Sequence, residues 1–348
     1  MRVRWTFDLL DRSEARLGPL RGVQRGSGGV TRSASASIKA SAKLSLVDTG
    51  QVEDWTQVRI RPVIDVDGRS WPLGVFIPDV PVIEYSDDGR VMDVDLLDKT
   101  TILDGDAFGT SYGIEKGANV AAAVREIIET TGEPATGIED SGEKLRTAME
   151  TEPDDSKLAV INTLLDAANF FSLYTGGTGR FHADPYLEPG RRPVVVEFVD
   201  EDNARLVGGL YSPGFTVTRD IGSVPNRVRA VSQSDEDEPA LVAEARNEDP
   251  ESPFSFDRLG YWRTRVDSDV ATTSQASLDA YAARRLKELS APQETIEIEH
   301  PPYEVTINDA VTFTSRRHGI DGLWTVQNQE WSAAFGGLVK SKLRKVQA

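Results

Sequence analysis

Across residues 58–97 the chain reads with a period of two, and this pattern constrains the fold more than any other feature of the sequence. Val58, Ile60, Ile64 and Val66 fall at even spacing, with Arg59, Arg61 and Asp65 between them. That is the alternation of a strand with one buried face. Asp67-Gly68 follows, a dipeptide that accepts positive φ and closes tight hairpins. The next strand is expected to put Trp71, Leu73, Val75 and Ile77 on one face. Residues 82–85 and 91–97 form a further pair joined by Asp87-Asp88-Gly89, with Met92, Val94 and Leu96 alternating against Asp93 and Asp95. Consecutive hairpins with few helical signals predict a small barrel or sandwich over residues 1–100. The stretch 18–41, rich in Gly, Ser, Ala and Arg, reads as a long loop or flexible excursion, freed by Gly26, Gly28 and Gly29.

Helical spacing appears next. Asn119 is placed to cap a helix over 120–131, where Val120, Val124, Ile127 and Ile128 form one stripe and Gly132 ends it. A polar segment over 132–143 reads as a loop. A second helix starts near Asp155-Ser156 and carries Leu158, Ile161, Leu164, Leu165 and Ala168 on one face. The β pattern returns at 172–174, a Gly176-Gly177 turn, 180–183 and 193–199, then at 215–218 and 226–231. Asp235-Glu236-Asp237-Glu238 reads as a solvated loop. A third helix is expected over 274–289, with Leu278, Ala282, Leu286 and Leu289 inward. Residues 292–348 are β again. Ile296/Ile298, Val305/Ile307, Val311/Phe313 and Trp324/Val326 alternate, with breaks at Asn308-Asp309, Asp321-Gly322 and Gly336-Gly337. No solenoid repeat is visible.

The 348 residues contain no cysteine, which removes disulfides, Cys-ligated metals and Cys nucleophiles. The three histidines, His182, His300 and His318, are scattered and form no metal-binding pair. His300 alternates with Ile296 and Ile298 and reads as a strand residue. Apolar runs are too short for a membrane helix, and no stable membrane insertion is expected. The first residues alternate like a strand and carry no signal-peptide core, so a soluble protein made in a cytoplasm is expected. The net charge is −17, which disfavours gripping nucleic acid through its phosphates. The charge is uneven. Residues 1–43 hold nine basic against three acidic side chains, and 340–348 hold Lys340, Lys342, Arg344 and Lys345 with no acid. The interior of the sequence is therefore strongly acidic.

Catalytic patterns are thin. Leu46-Val47-Asp48-Thr49-Gly50 resembles an aspartic-protease signature, and Asp140-Ser141-Gly142 could supply a second carboxylate. That chemistry needs two carboxylates sharing a proton, each on a loop after an apolar strand. Asp140 lies in a polar loop without such a strand, and Asp48-Thr49-Gly50 also makes an ordinary turn. Ser141 and Lys144 match S-x-x-K without its partner motifs. Gly176-Gly177-Thr178-Gly179 lacks the lysine and helix of a phosphate loop. Asp65-Val66-Asp67-Gly68 is too short for an EF-hand loop. Paired carboxylates for glycoside hydrolysis have no distinguishing spacing among 56 acids. No catalytic residue, cofactor or metal ligand is assigned.

The order of segments carries a resemblance. It runs through 55–62, Trp71-Pro72-Leu73-Gly74-Val75-Phe76, Val94-Asp95-Leu96-Leu97-Asp98-Lys99, Leu164-Leu165-Asp166-Ala167-Ala168-Asn169-Phe170 with its Gly-rich hairpin, and Asp184-Pro185-Tyr186. It continues through Val224-Pro225-Asn226-Arg227-Val228, 247–253, the helix at 280–289, Asn308-Asp309-Ala310-Val311 and 319–326. Over nearly the whole chain this resembles the baseplate hub, or tail-associated minor tail, proteins of tailed bacteriophages, of the kind found in actinobacterial phages. The resemblance implies an α+β, mostly β chain with two β-barrel hub domains and intervening mixed α/β domains. The barrels would be 1–104 and 210–233 plus 291–348, with a mixed middle domain at 105–209 and an inserted loop-and-helix domain at 234–290.

It further implies a homotrimer whose six barrels mate with a hexameric distal tail or tail-tube protein. Tape-measure protein and DNA would pass through as cargo, and distal tip or fibre proteins would lie below. The location implied is the virion tail tip, assembled in the host cytoplasm. The chain stops at Ala348 without the peptidase, lysozyme or fibre module of many relatives, so no enzymatic activity is expected. Two alternatives stand beside this reading: a receptor- or carbohydrate-binding minor tail protein, with Trp262 and Trp331 either stacking on sugars or packed in a core, and a tail-associated hydrolase. Lys340, Lys342 and Arg344 alternate on a predicted strand, share one face, and are the interface candidates, either solvated or opposed by an acidic partner.

Overall fold

The computed structural model describes residues 1–79, 82–86, 89–145, 148–199, 209–232, 240–270, 274–289 and 293–346. The expected turn at Asp87-Asp88 and the acidic run 235–238 lie outside the described residues. The chain divides into two compact units, Met1–Phe215 with Glu297–Ala348, and Thr216–Ile296.

The strands of the first unit begin with β1 (Val3–Asp11), β2 (Arg16–Pro19), β3 (Gly29–Ser33), β4 (Ala40–Val47), β5 (Val58–Val66), β6 (Arg69–Pro72), β7 (Phe76–Pro78), β8 (Val82–Ser86) and β9 (Gly89–Asp98). Then come α1 (Thr100–Asp104), β10 (Tyr112–Ile114), α2 (Val120–Glu129), β11 (Met149–Thr151), α3 (Lys157–Ala167), β12 (Tyr174–Thr175), β13 (Phe181–His182) and β14 (Val194–Val199). The second unit holds β15 (Thr216–Asp220), β16 (Arg227–Ser232), β17 (Val242–Arg246), α4 (Phe256–Leu259), β18 (Thr264–Val270) and α5 (Gln275–Leu289). The boundary back to the first unit falls within β19 (Gln293–His300), followed by β20 (Ala310–Ser315), β21 (Ile320–Ser332) and β22 (Val339–Lys345). The protein is mostly β with helices segregated from the sheet, an α+β arrangement.

In the first unit the neighbouring strands run β2-β1-β5-β7-β9-β4-β3-β21-β22. The period-two reading holds for β5 and β9, whose Ile60, Ile64, Met92, Val94 and Leu96 are buried. Asp67 and Gly68 both take positive φ at the β5–β6 turn, as a tight hairpin of this hand requires. The single strand expected over 71–77 is broken. Gly74 at φ +140 ends the pairing, and Leu73 and Val75 are buried off the ladder.

The loop expected over 18–41 is corrected most sharply. Its centre is β3, paired antiparallel to β4 on one edge and to β21 on the other. Gly29-Val30-Thr31-Arg32-Ser33 shows one buried apolar residue, Val30, too little for a periodic signal. Two hydrogen-bonded edges supply the order instead. β21 changes partner along its length: Ile320–Thr325 pair with β20, and Asn328–Ser332 pair with β3. Its Trp331, with Val339 of β22, completes the apolar core of β1, β4, β5 and β9 around Leu44, Ile60 and Phe76. The break expected at Asp321-Gly322 is also corrected. Both residues lie inside β21, opposite Thr314 and Phe313, and the turn is made by Arg316–His318 with Gly319 at φ +65. β14 joins β20 in parallel.

The helices form as their caps dictate. The Asn119 side chain accepts from Ala122 N at 2.8 Å, and Ser156 Oγ accepts from Ala159 N at 3.2 Å. Val124, Ile127, Ile161 and Leu164 close a second core over Phe181 of the β12–β13 hairpin. Within the second unit the sheet order is β17-β16-β18, with β16 and β18 parallel. Leu278 and Ala282 of α5 pack on Ala230 and Ala243, while Leu286 is half-buried. No helix among the described residues is long and apolar enough to cross a membrane.

Candidate interaction surfaces and a buried ion cluster

Catalytic patterns in the sequence resolve into turns and surface pairs. Asp48 accepts from Gly50 N at 2.9 Å and pairs with Arg90 at 3.2 Å. Asp140, largely exposed, pairs with Arg125 at 3.2 Å. Each carboxylate thus has its own arginine, the opposite of two acids sharing a proton. Among the described residues no hydrogen bond joins Ser141 to Lys144; Ser141 Oγ accepts from Glu143 N at 3.3 Å. Gly176 and Gly179 close the β12–β13 hairpin through a 2.9 Å backbone bond. His300 is fully buried, bonded to Ser341 Oγ at 2.8 Å and to the Pro301 carbonyl at 2.7 Å. Burial pulls its imidazole down to about 4 despite the Pro301 bond, so it is a neutral core group.

Lys340, Lys342 and Arg344 do share the outward face of β22, alternating with buried Ser341 and Leu343. Lys340 and Lys342 converge on Glu297 at 3.8 and 4.0 Å. Across the sheet Lys340 stands opposite exposed Glu330, and Arg344 opposite Thr325. One carboxylate serving two ammonium groups leaves the strip positive, and pairs so exposed contribute about 0–1 kcal/mol. The sequence brings the three cations together without saturating them.

The two tryptophans considered for sugar stacking are engaged within the chain. Trp331 is buried in the first-unit core. Trp262 stacks on Phe256 at 4.5 Å, and the guanidinium groups of Arg227 and Arg246 lie 5.0 and 5.5 Å from its ring. These contacts take the indole surface that a sugar would need.

A cluster that the sequence did not signal lies where the first sheet meets the helices. Arg59 of β5 bonds Glu14 at 2.7 Å and Glu133 at 3.1 Å. Lys99, almost wholly buried, reaches Glu14, Glu133 at 3.0 Å and the Gly179 carbonyl at 3.0 Å. Its ammonium also lies 5.0 Å from the Phe181 ring centre. Burial raises the Glu133 carboxyl, but the Arg59 bonds and the Lys99 charge outweigh it and hold the group below its ordinary value. Two acids and two bases therefore balance in a site where any one alone would be costly. Next to it Asp98 is buried, accepting from Thr100 and Thr175, and burial raises its carboxyl. Glu14 sits at φ +68, a position its sequence neighbours do not advertise.

The fold of the chain is similar to that of solved phage tail proteins. The chain superposes on a tail protein from Neisseria meningitidis over 99% of its own length and 97% of the other, with a TM-score of 0.67 at 12% identity. A 43 kDa tail protein of prophage MuSo2 from Shewanella oneidensis matches over 99% and 98%, with a TM-score of 0.67 at 11% identity. A prophage tail protein from Listeria monocytogenes matches over 99% and 95%, with a TM-score of 0.57 at 13% identity. No family model and no curated protein sequence matches the chain.

Proposed function

We propose that this chain is a structural subunit of a phage tail, acting as a trimeric hub at the tail tip. The carrying observation is the sharing of one fold, end to end, with tail proteins of three bacterial sources. In this reading residues 1–104, and residues 210–233 with 291–348, act as the two barrel-like modules of each subunit. Three copies supply six docking surfaces to a hexameric tail-tube protein, which resolves the mismatch between three-fold and six-fold rings. The ring encloses a passage for tape-measure protein and DNA, and distal tip or fibre proteins attach below. A chain of net charge −17 suits a passage that must not retain phosphates. The reading assigns no catalysis to the chain and places it in the virion, after assembly in the host cytoplasm.

Lys340, Lys342 and Arg344 are assigned to a protein contact within this assembly, where charge matching selects partner and register more than it adds affinity. Imaging of assembled tails tests the hub: three copies with three-fold symmetry at the tip are expected, and six-fold or single-copy density overturns it. Charge reversal of all three residues is expected to impair tail assembly at low salt. Normal assembly by that variant would reduce the strip to a solvated strand face.

A further inference from the structure

The turn between β21 and β22 carries Phe335 with its whole side chain in solvent. The turn is held firmly. Gly337 N donates to the Ala334 carbonyl at 2.8 Å, Ala333 N donates to the Gly28 carbonyl at 3.1 Å, and Gly336 takes φ +69. A single exposed apolar side chain needs no explanation, but this one does not stand alone. It borders a cleft of about 900 Å³ whose apolar lining includes Trp5, Leu20, Val23 and Ala334. Around the cleft stand Arg2, Arg4 and Arg25, all exposed, and none of the described residues that line it is acidic. Arg2 and Arg4 exert a weak pull on Asp65, whose carboxyl is lowered first by its Ser70 bond. Among the described residues none of the three guanidinium groups forms an ion pair. Aromatic and arginine side chains around an apolar hollow make the composition of interface hot spots.

We propose that the cleft and the Phe335 knob form a docking surface for an acidic segment of a different protein, one that carries an apolar or aromatic anchor. Charge complementarity selects this occupant. A second copy of the chain is disfavoured, because knob and cleft lie side by side. Reciprocal insertion would then be a two-fold contact, and it would press the three arginines of each copy together. Nucleic acid is disfavoured by the apolar lining and by the chain's net charge of −17. The proposal goes beyond the tail reading and does not rest on it, because its test uses the isolated chain.

The test is selection of a random twelve-residue peptide display library on the full chain, counter-selected on the triple variant Arg2→Glu, Arg4→Glu, Arg25→Glu. The expected outcome is a consensus that combines Asp or Glu with an aromatic residue or leucine. A synthetic consensus peptide should bind more weakly by about tenfold or more in the triple variant and in Phe335→Ser, and more weakly as salt rises. Circular dichroism checks that each variant is folded, and Arg25→Glu alone replaces the triple variant if that one is not. A consensus without acids, or equal binding to the arginine variant, overturns the proposal. So does duplex DNA binding that the arginine variant loses while no peptide is enriched, or self-association of the chain that Phe335→Ser abolishes.

Discussion

Lys99 Nζ lies 3.0 Å from Glu133 Oε2, so the residue that follows β9 is locked to the segment that follows α2. Arg59 and Glu14 complete the cluster, and the Lys99 and Glu133 side chains are almost closed to water. Such a group stabilises little in net terms when complete, but it penalises removal of one member.

Lys99→Met is therefore expected to destabilise the first unit by about 3–5 kcal/mol, because Glu14 and Glu133 would be left with Arg59 as their one shared cation in a largely buried site. Urea unfolding checks this. A loss below about 1 kcal/mol would mean that water screens the cluster. The Glu133 contribution is full above its unfolded carboxyl value, because its folded value is depressed. It fades as pH falls through that depressed value.

His300 sets a second pH window. Folding lowers its imidazole from 6.5 to about 4, so between those values the unfolded chain binds a proton that the native chain does not. Stability should fall as pH drops through this window, by about 3 kcal/mol in all. The groups against the ring, Ser341, the Pro301 carbonyl, Phe198 and Tyr303, carry no charge that would stabilise the protonated form. Urea unfolding across pH should show the slope, and His300→Gln should flatten it.

Trp331→Ala is expected to cost about 3–5 kcal/mol and to loosen a core built mainly of N-terminal strands. Hydrogen exchange at β4 and β9 amides should quicken in this variant. Exchange changes confined to β20–β22 would contradict the packing described.

Gly29→Ala places a methyl group 2.4 Å from the Trp331 carbonyl oxygen, and its nearest neighbours are all backbone atoms of β21, with no flexible side chain to yield. A loss of about 1–3 kcal/mol is expected. The measurement is the shift in thermal midpoint against Gly190→Ala, where the added methyl meets open space.

The strands with alternating faces and the capped helices were legible because each carries its signal within a few residues. Ile60 and Ile64, or Asn119 with Val124 and Ile127, announce themselves locally. β3 did not, because Thr31 is held between Ser41 of the following strand and Glu330, a partner far away in sequence. The ion cluster was hidden for the same reason: Glu14, Arg59, Lys99 and Glu133 converge from four segments, and nothing in their spacing relates them. The shared face of Lys340, Lys342 and Arg344 was readable from alternation alone. Glu297, the shared counterion of Lys340 and Lys342, was not.

The partner change along β21 bears on how the first unit carries load. A pull on β20 reaches β3 along the continuous backbone of β21, and β3 is joined to β4 by antiparallel hydrogen bonds. The β21–β22 ladder shifts register between Val326 and Asn328, and there Asn308 N and Ala34 N donate to the Val326 and Gln327 carbonyls. Strain applied at β20 is thereby carried toward β3 as tension along β21.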